Sequence, residues 1–254
     1  MTTTAFNDAT ASASRILVRA RGDGTRVLPA LVQPGNRSEA YAIQDTTLAA
    51  IGAIGGWKVG ARATGLEPTC APLPAAGLLP DGTQLRGPQW HLRGIELEVG
   101  FELGADLPAR AASYTLGDLE AAIESVLPVI EVVETRFTDW LGAGADSQLA
   151  DLLSHGALVL GGRRPFTPAW LDLTHTEAEL RFDEQVVAHT VGGHPCKDVG
   201  ALLVWLANHC SARGVGLAAG QVITTGSCTG MLFASPGSVV HAELGELSPL
   251  GLSF

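Results

Sequence analysis

Three glutamates in two apolar segments have the types and spacing that most directly point to chemistry. Glu96 and Glu98 lie two positions apart in an alternating run that predicts a β-strand over residues 95–103. Because successive strand side chains leave opposite faces, the two carboxylates leave the same face, about 7 Å apart along the backbone. Such a pair can bind one hard cation such as Mg²⁺, but an ordinary amphipathic strand also carries acids on its solvent-exposed face. The pattern alone leaves both interpretations open.

Glu131 lies in a second apolar segment, residues 129–133, which predicts a buried strand. Burying an isolated carboxylate is costly unless the group is paired, protonated or bound to a metal. Glu131 is therefore a candidate metal ligand, and a structural ion pair with an arginine is the alternative. Glu134 falls on the opposite face of this strand, where we expect it to contact solvent.

Lys58 follows a double glycine in a short apolar strand predicted over residues 57–60. A half-buried lysine can have a lowered pKa, which suits proton transfer, or it can orient an anionic substrate. A lysine that extends its ammonium to water at a strand edge is the alternative. Asp81 lies in the sequence Leu-Pro-Asp-Gly, which favours a turn.

A segment rich in hydroxyl groups and glycine, residues 224–230, follows a predicted strand. Backbone N–H groups and hydroxyls in such a loop can hold a carboxylate, so Thr225 and Gly226 are candidate substrate-binding residues, and a plain connecting turn is the alternative. The sequence contains no HExxH or GxSxG motif, no Walker loop, and no GxGxxG placed between strand and helix.

The elements that position these residues predict an α+β chain with a helical N-terminal part and a mostly β body. We expect residues 1–14 to be frayed and residues 15–55 to be helical, with Ser38 as an N-cap. Residues 61–90, rich in proline and glycine, predict a long irregular segment. The remaining predicted elements are helices at 116–125 and 197–212, strands at 155–160, 221–225, 238–243 and 250–254, and a hairpin over 179–189.

Composition bounds the function classes. The 254 residues suit one large domain or a domain with a small appendage, and 46% apolar residues can bury a full core. A net charge of −10 makes nucleic acid an unsuitable partner, because an acidic surface repels phosphates. No apolar run approaches the roughly 20 residues of a membrane span, and the N-terminus lacks signal-peptide features. Four widely spaced cysteines predict neither a disulfide framework nor a thiolate zinc site. We therefore expect a cytoplasmic protein.

Seven short segments occur along the chain in a characteristic order. They are AYAIQ (40–44), GWKVG (56–60), GIELEVGF (94–101), PVIEVV (128–133), GHP (193–195), WLAN (205–208) and AGQVITTG (219–226). From about residue 38 to the C-terminus, this ordered set resembles the 2-keto-4-pentenoate hydratase and 4-oxalocrotonate decarboxylase family of the fumarylacetoacetate hydrolase superfamily. No single segment is specific, but the order is.

The resemblance implies a helical N-terminal segment, residues 1–55, and a β-rich catalytic domain, residues 56–254, that form a single functional unit. The expected catalytic domain is a mixed β-sheet roll of the fumarylacetoacetate hydrolase type with one long helix. The resemblance also implies a small-molecule 2-oxo-acid substrate and a homo-oligomer.

The resemblance further assigns roles to particular residues. It implies that Glu96, Glu98 and Glu131 hold one divalent cation, Mg²⁺ or Mn²⁺. Lys58 matches the active-site lysine of the family, and Asp81 takes the place of its catalytic acid. Both residues are therefore expected to be catalytic.

The implied activity is hydration of 2-hydroxy-2,4-dienoate or 2-oxo-4-enoate acids, a reaction of aromatic catabolism. A 4-oxalocrotonate-type decarboxylase and an acylpyruvate hydrolase are alternatives within the same enzyme superfamily. An inactive partner subunit is the non-enzymatic alternative. The presence of all three candidate ligands and of the lysine argues against an inactive subunit.

Overall fold

The computed structural model of the chain describes residues 3–61 and 66–254, which fold into helices and two β-sheets. The helices are α1 (Thr3–Asp23), α2 (Arg37–Ile51), α3 (Leu116–Ala122), α4 (Gly144–Ala150) and α5 (Val199–Ala212). The strands are β1 (Ile54–Gly60), β2 (Thr69–Pro74), β3 (Leu78–Pro80), β4 (Thr83–Gln84), β5 (Gly94–Leu103), β6 (Ile123–Val133), β7 (His155–Leu160), β8 (Arg164–Pro165), β9 (Glu177–Phe182), β10 (Gln185–Val191), β11 (Val222–Thr224), β12 (Leu232–Phe233), β13 (Val239–Leu244) and β14 (Leu250–Ser253).

The larger sheet has the strand order β2-β1-β11-β5-β6-β7-β3, with β12 paired to β5 and β8 paired to β6. The smaller sheet has the order β10-β9-β13-β14-β4. In the larger sheet β5 lies between β11 and β6 and is antiparallel to both, so the two strands that carry the three glutamates are direct neighbours. The α+β class, the mixed sheets and the long helix α5 confirm the predicted fold class.

The predicted alternation of β5 is confirmed on its apolar face, where residues 95, 97, 99, 101 and 103 are all fully buried. The neighbouring strand β6 is longer than predicted, because it begins at Ile123 and runs through Pro128. Pro128 pairs with Val99 of β5, and its carbonyl accepts the N–H of Gly161 at 2.9 Å. The proline therefore costs this strand one donor without ending it.

Of the residues predicted to be frayed, those described by the structure, residues 3–14, are helical, since α1 begins at Thr3. Ala13, Leu17 and Ala20 recur on one face of α1 and are buried in the protein core, which explains how a polar, alanine-rich segment holds a helix. The continuous helical region predicted over residues 15–55 is wrong, because the sequence 24–36 contains two prolines that separate α1 from α2.

The N-cap of α2 is Asn36 rather than the predicted Ser38. The Asn36 side chain accepts the N–H of Glu39 at 3.0 Å, and the Glu39 carboxylate accepts the N–H of Gly35 at 2.6 Å. This reciprocal arrangement satisfies two backbone donors at the start of the helix. Both Asn36 and Ser38 are good capping residues, so the sequence pattern did not separate them.

The segment predicted as irregular, residues 61–90, contains β2, β3 and β4 in its described part. Prolines and glycines mark the turns of this segment, but they gave no indication of its three short strands. The β9–β10 hairpin is confirmed, and its two turn residues Asp183 and Glu184 have φ of 50° and 70°. Buried residues of α1 and α2 join the same hydrophobic core as the sheets. Among the described residues, no helix is both long and apolar enough to cross a membrane.

Candidate metal centre

The register of β5 on β6 brings the three glutamates together. Glu96 lies directly opposite Glu131, and Glu98 lies two residues further along the same face of β5. One carboxylate oxygen from each of the three lies within 4.8 Å of the others. Glu96 and Glu98 therefore lie on one face of β5, and antiparallel pairing with β6 supplies the third carboxylate.

The cluster is buried, and burial makes its negative charge costly. Glu98 and Glu131 are only 2% and 1% exposed. Burial, and then the charge of Glu131, raise the pKa of Glu96 to about 7. Burial and the two neighbouring carboxylates raise the pKa of Glu98 to about 8. A divalent cation removes this mutual repulsion, so the donor set fits a hard metal ion.

Glu131 divides its two oxygens between different tasks. Its Oε1 accepts a hydrogen bond from Lys58 Nζ at 2.5 Å and lies 3.5 Å from His155 Nδ1. Its Oε2 is buried and has no hydrogen-bond partner among the described residues. An orphaned buried carboxylate oxygen is expensive, and a metal ion at the cluster would satisfy it. The structural ion pair considered for Glu131 exists, but with a lysine rather than an arginine.

Lys58 lies on β1, whose register places it beside Thr224 of β11 and Ala71 of β2. Its Nζ also donates to the carbonyl of Leu153 at 3.2 Å, and the side chain is only 15% exposed. The lysine therefore does not extend its ammonium to water. Burial acts to lower the pKa of Lys58, but the three carboxylates outweigh it and the net shift is upward. Lys58 is a charged ammonium here rather than a lysine with a lowered pKa.

A strained turn holds one wall of the site. Leu152, Leu153 and Ser154 have φ of 53°, 51° and 60°, a left-handed conformation that three consecutive non-glycine residues seldom adopt. The turn aims the Leu153 carbonyl at Lys58 and places His155 next to Glu131. The residue before the turn, buried Asp151, anchors it through an ion pair with Arg136 at 2.7 Å.

His155 is fully buried, and burial lowers its pKa to about 4, so the ring is neutral. A neutral imidazole next to a carboxylate can donate a hydrogen bond without adding charge. The ring therefore adjoins the Glu131 carboxylate without adding a positive charge to the site.

In the hydroxyl-rich loop, the threonine that lines the cavity is not the one named from the sequence. Thr225 is buried outside the cavity, where its Oγ1 lies 3.4 Å from His194 Nε2. Thr224 lines the cavity instead, and its buried Oγ1 has no partner among the described residues. Thr225 directly follows β11, and of these two adjacent threonines only Thr224 lines the cavity.

Gly226, a candidate substrate-binding residue, lines the cavity, and its N–H donates to Glu98 Oε2 at 2.9 Å. Its φ of 119° is a conformation that favours glycine. This glycine therefore orients a candidate metal ligand, and its N–H is already engaged before a substrate arrives.

Two further residues that the sequence singled out lie outside the cavity. Asp81 does not line the cavity, and its carboxylate accepts the N–H of Gly251 at 2.7 Å in the turn between β3 and β4. Asp81 therefore lies in a turn, as the sequence Leu-Pro-Asp-Gly favours. The structure does not bring it next to Lys58 or the three glutamates. Glu134 is 3% exposed rather than solvated, because it accepts N–H groups from residues 91–93 and 135.

Comparison with known proteins identifies the family. Residues 49–252 match the model of the fumarylacetoacetate (FAA) hydrolase C-terminal domain. The chain belongs to this family. It is 31% identical over 168 residues to a 2-keto-4-pentenoate hydratase of Paraburkholderia xenovorans, in an alignment that covers 65% of this chain and 60% of that protein. It is 30% identical over 258 residues to 2-keto-4-pentenoate hydratase 2 of Dechloromonas aromatica, which covers 94% of this chain and 96% of that protein.

A solved member of the same fold is the 4-oxalocrotonate decarboxylase from Pseudomonas putida G7, complexed with magnesium and adipate. The two folds superpose with a TM-score of 0.83 at 21% identity, over 97% of each chain. This likeness confirms the fumarylacetoacetate hydrolase type of fold.

In this fumarylacetoacetate hydrolase family member the carboxylates and Lys58 open into a cavity of about 360 Å³. Sequence reasoning missed several residues of its wall, which are Val133, Trp140, Leu153, Ser154, Thr224 and Met231. Only Thr224 carried a signal, through the alternation of β11. The apolar residues come from separate turns and strand ends, and no local pattern marks them as neighbours.

Proposed function

We propose that this protein is a hydratase of 2-hydroxy-2,4-dienoic acids that depends on Mg²⁺ or Mn²⁺. The observation that carries the proposal is the convergence of three buried carboxylates and one lysine ammonium at a single cavity. Relatives aligned over nearly their whole length bear the name 2-keto-4-pentenoate hydratase, which favours hydration over decarboxylation or hydrolysis.

Glu96, Glu98 and Glu131 would hold the cation, because hard divalent ions prefer carboxylate oxygens. When bound, such an ion would hold the substrate carboxylate and 2-oxygen and stabilise the negative charge that develops at that oxygen. The Gly226 N–H keeps Glu98 in the orientation that this binding requires.

Lys58 is the group placed to move a proton between the 2-oxygen and the conjugated carbon chain. Transfer of the 2-hydroxyl proton to C5 converts the dienol into a 2-oxo-3-enoate. Addition of one water across C3 and C4 then gives the 4-hydroxy-2-oxo acid. The neighbouring carboxylate charges keep the proton on Lys58, so neutralising them makes the proton easier to release.

Thr224 is the hydroxyl available to the substrate. It lies beside Lys58 in the β1–β11 register, and its Oγ1 has no hydrogen-bond partner among the described residues. A buried hydroxyl without a partner gains a hydrogen bond when a ligand oxygen arrives. We therefore assign Thr224 to the substrate carboxylate, in place of Thr225.

The test is turnover of 2-hydroxypenta-2,4-dienoate, followed by the loss of its dienol absorbance with Mg²⁺ and with excess chelator. We expect turnover with Mg²⁺ but not with excess chelator, and turnover about 10²–10⁴-fold slower from Lys58→Met. Turnover of 4-oxalocrotonate or of an acylpyruvate in its place would replace the proposal with a decarboxylase or a hydrolase. No turnover of any of these by the metal-bound protein would support an inactive partner subunit.

The proposed small-molecule partner is thus a 2-oxo acid in its enol form. The predicted homo-oligomer and the cytoplasmic location stay predictions. Light scattering coupled to size-exclusion chromatography measures the first, because it gives the mass of the assembly independently of its shape. A single 26.3 kDa species would contradict the predicted homo-oligomer.

A further inference from the structure

The floor of the cavity changes from acidic to apolar along β5 and β6. On β5 the same face carries Glu98, then Glu96, then Gly94. On β6 that face carries Glu131 opposite Glu96, and then Val133 opposite Gly94. Two residues of strand rise separate the carboxylates from the apolar end by about 7 Å.

Gly94 lets two apolar side chains close over this end of the floor. A Cβ atom at Gly94 would lie 3.0 Å from Met231 Sδ and 3.0 Å from Val133 Cβ. Met231 directly precedes β12, which pairs with the start of β5. Because Gly94 has no side chain, Met231 and Val133 can both occupy the space next to it.

Trp140 provides an apolar wall to the same cavity. Its indole N–H donates to Ser154 Oγ at 3.1 Å, so the polar edge of the ring is already engaged. The ring packs edge-to-face on Phe233, with centroids 6.2 Å apart and an interplanar angle of 73°. Both contacts fix the orientation of the ring, and its remaining surface is apolar.

The charges around the cavity oppose a second negative group. Among the described lining residues, Lys58 is the only cationic side chain, and it is bound to Glu131 and to the Leu153 carbonyl. A second carboxylate at the apolar end would lose water without gaining a described cationic partner, which is costly. An uncharged apolar group there gains from contact with Val133, Trp140 and Met231.

We propose that this cavity selects 2-oxo acids with a single carboxylate and an uncharged apolar tail, and that Met231 and Trp140 determine this specificity. The inference rests on the proposed function in one respect, which is that the substrate carboxylate and 2-oxygen lie at the three glutamates. The tail beyond C4 then points along β5 and β6 toward Gly94. Dicarboxylic dienoates of the same length are rejected because the charged end meets apolar side chains.

Binding of unreactive analogues to the Mg²⁺-loaded protein tests this directly. Calorimetry compares 2-oxohexanoate with 2-oxoadipate, which have equal chain lengths and differ only in the distal carboxylate. We expect the diacid to bind at least about tenfold more weakly, since its second charge has no described partner. We also expect affinity to rise about fourfold per methylene from 2-oxopentanoate to 2-oxoheptanoate. Equal or tighter binding of the diacid would overturn the proposal.

Two variants assign the effect to the named residues. Met231→Lys places a cation at the apolar end, and we expect it to increase 2-oxoadipate affinity about tenfold and so remove most of the preference for the monoacid. Trp140→Ala should abolish the dependence on tail length. Leu141→Ala is the matched control, because Leu141 adjoins Trp140, is 82% exposed and does not line the cavity. An unchanged preference in both Met231→Lys and Trp140→Ala would contradict the assignment.

The outcomes separate this inference from the proposed function. A protein that prefers the monoacid in binding but converts no dienoate would refute the hydratase and leave the specificity intact. A protein that hydrates the dienoate but binds both acids equally would confirm the hydratase and refute the specificity. Calorimetry reports binding without turnover, so neither result depends on the other.

Discussion

Replacing Glu131 with glutamine removes one negative charge from the centre of the site with almost no change in side-chain volume. Glu131 is 1% exposed, contacts Lys58 through one oxygen and leaves the other without a partner. The glutamine can still accept a hydrogen bond from Lys58 through its amide oxygen. The substitution therefore tests the charge at this position rather than the packing.

The effect on the metal-free protein combines two opposing contributions. Losing one partner of a buried ion pair costs about 3–5 kcal/mol. Removing the charge of Glu131 also relieves the repulsion that raises the pKa of Glu96 and Glu98. We expect a net loss of about 2 kcal/mol, which corresponds to a fall in Tm of about 4–8 °C for a chain of this size. The fold is retained.

The effect of Glu131→Gln on metal binding is larger than its effect on stability, and it has no opposing contribution. Changing a group that only supports a metal ligand costs about 10–100-fold in affinity, so neutralising a ligand itself should cost at least about 100-fold. That factor corresponds to about 3 kcal/mol of binding free energy. Metal-dependent turnover should fall below detection at Mg²⁺ concentrations that saturate the unmodified protein.

The assay is titration calorimetry with Mg²⁺, accompanied by thermal unfolding with and without the ion. Glu102→Gln is the matched control, because Glu102 lies on the same face of β5 and pairs with Arg163 outside the cavity. We expect this control to bind Mg²⁺ as the unmodified protein does. If Glu131→Gln kept full Mg²⁺ affinity and activity, the reasoning about the cluster would be wrong.

Four further outcomes follow from the same geometry. Since the pKa of Glu96 is about 7 and that of Glu98 about 8, Mg²⁺ affinity by calorimetry should rise between pH 6 and pH 8.5, because the ion must displace their protons. A flat profile of Mg²⁺ affinity against pH would contradict this expectation. The pKa values of Glu96 and Glu98 in the folded state also exceed those in the unfolded state. The metal-free protein should therefore lose stability as pH rises from about 4.5 through these values. Lys58→Met should reduce kcat by about 10²–10⁴-fold, because the group that moves the proton is lost. Mg²⁺ affinity should be kept or increased, because a positive charge next to the ion is removed. Weaker Mg²⁺ binding in this variant would contradict the placement of Lys58 beside the metal. Thr224→Val should raise KM about fivefold to tenfold, because one hydrogen bond to the substrate is lost. Thr225→Val changes a residue outside the cavity and should leave KM unchanged. Equal effects of the two substitutions on KM would refute the assignment of Thr224 to the substrate.

Periodicity was sufficient for the parts of the site that lie on regular strands. The two-residue spacing of Glu96 and Glu98 fixes their common face, and the apolar surroundings of Glu131 indicate its burial. Antiparallel pairing of β5 with β6 brings these strands into contact, and the family resemblance implied in advance only that the three glutamates share one metal ion. The sequence also predicted the strand of Lys58, but not the upward shift of its pKa, which arises from the three carboxylates.

The residues that the sequence did not reveal depend on tertiary contacts. Asp81 occupies a turn, as its tetrapeptide suggests, and only the fold shows that this turn is away from the cavity. Glu134 looked exposed because strand alternation ignores the backbone N–H groups that a following loop can offer. The left-handed turn before His155 contains leucines and no glycine, so turn chemistry gave no sign of it. Met231 reaches the site only because Gly94 makes room for it.

The most direct test of the central claim is a crystal structure of the protein grown with Mn²⁺, with anomalous diffraction data to locate the ion. We predict one strong anomalous peak in the cavity, about 2.0–2.6 Å from an oxygen of each of Glu96, Glu98 and Glu131. A protein saturated with Mn²⁺ that shows no peak there, or binds the ion away from these three carboxylates, would contradict it.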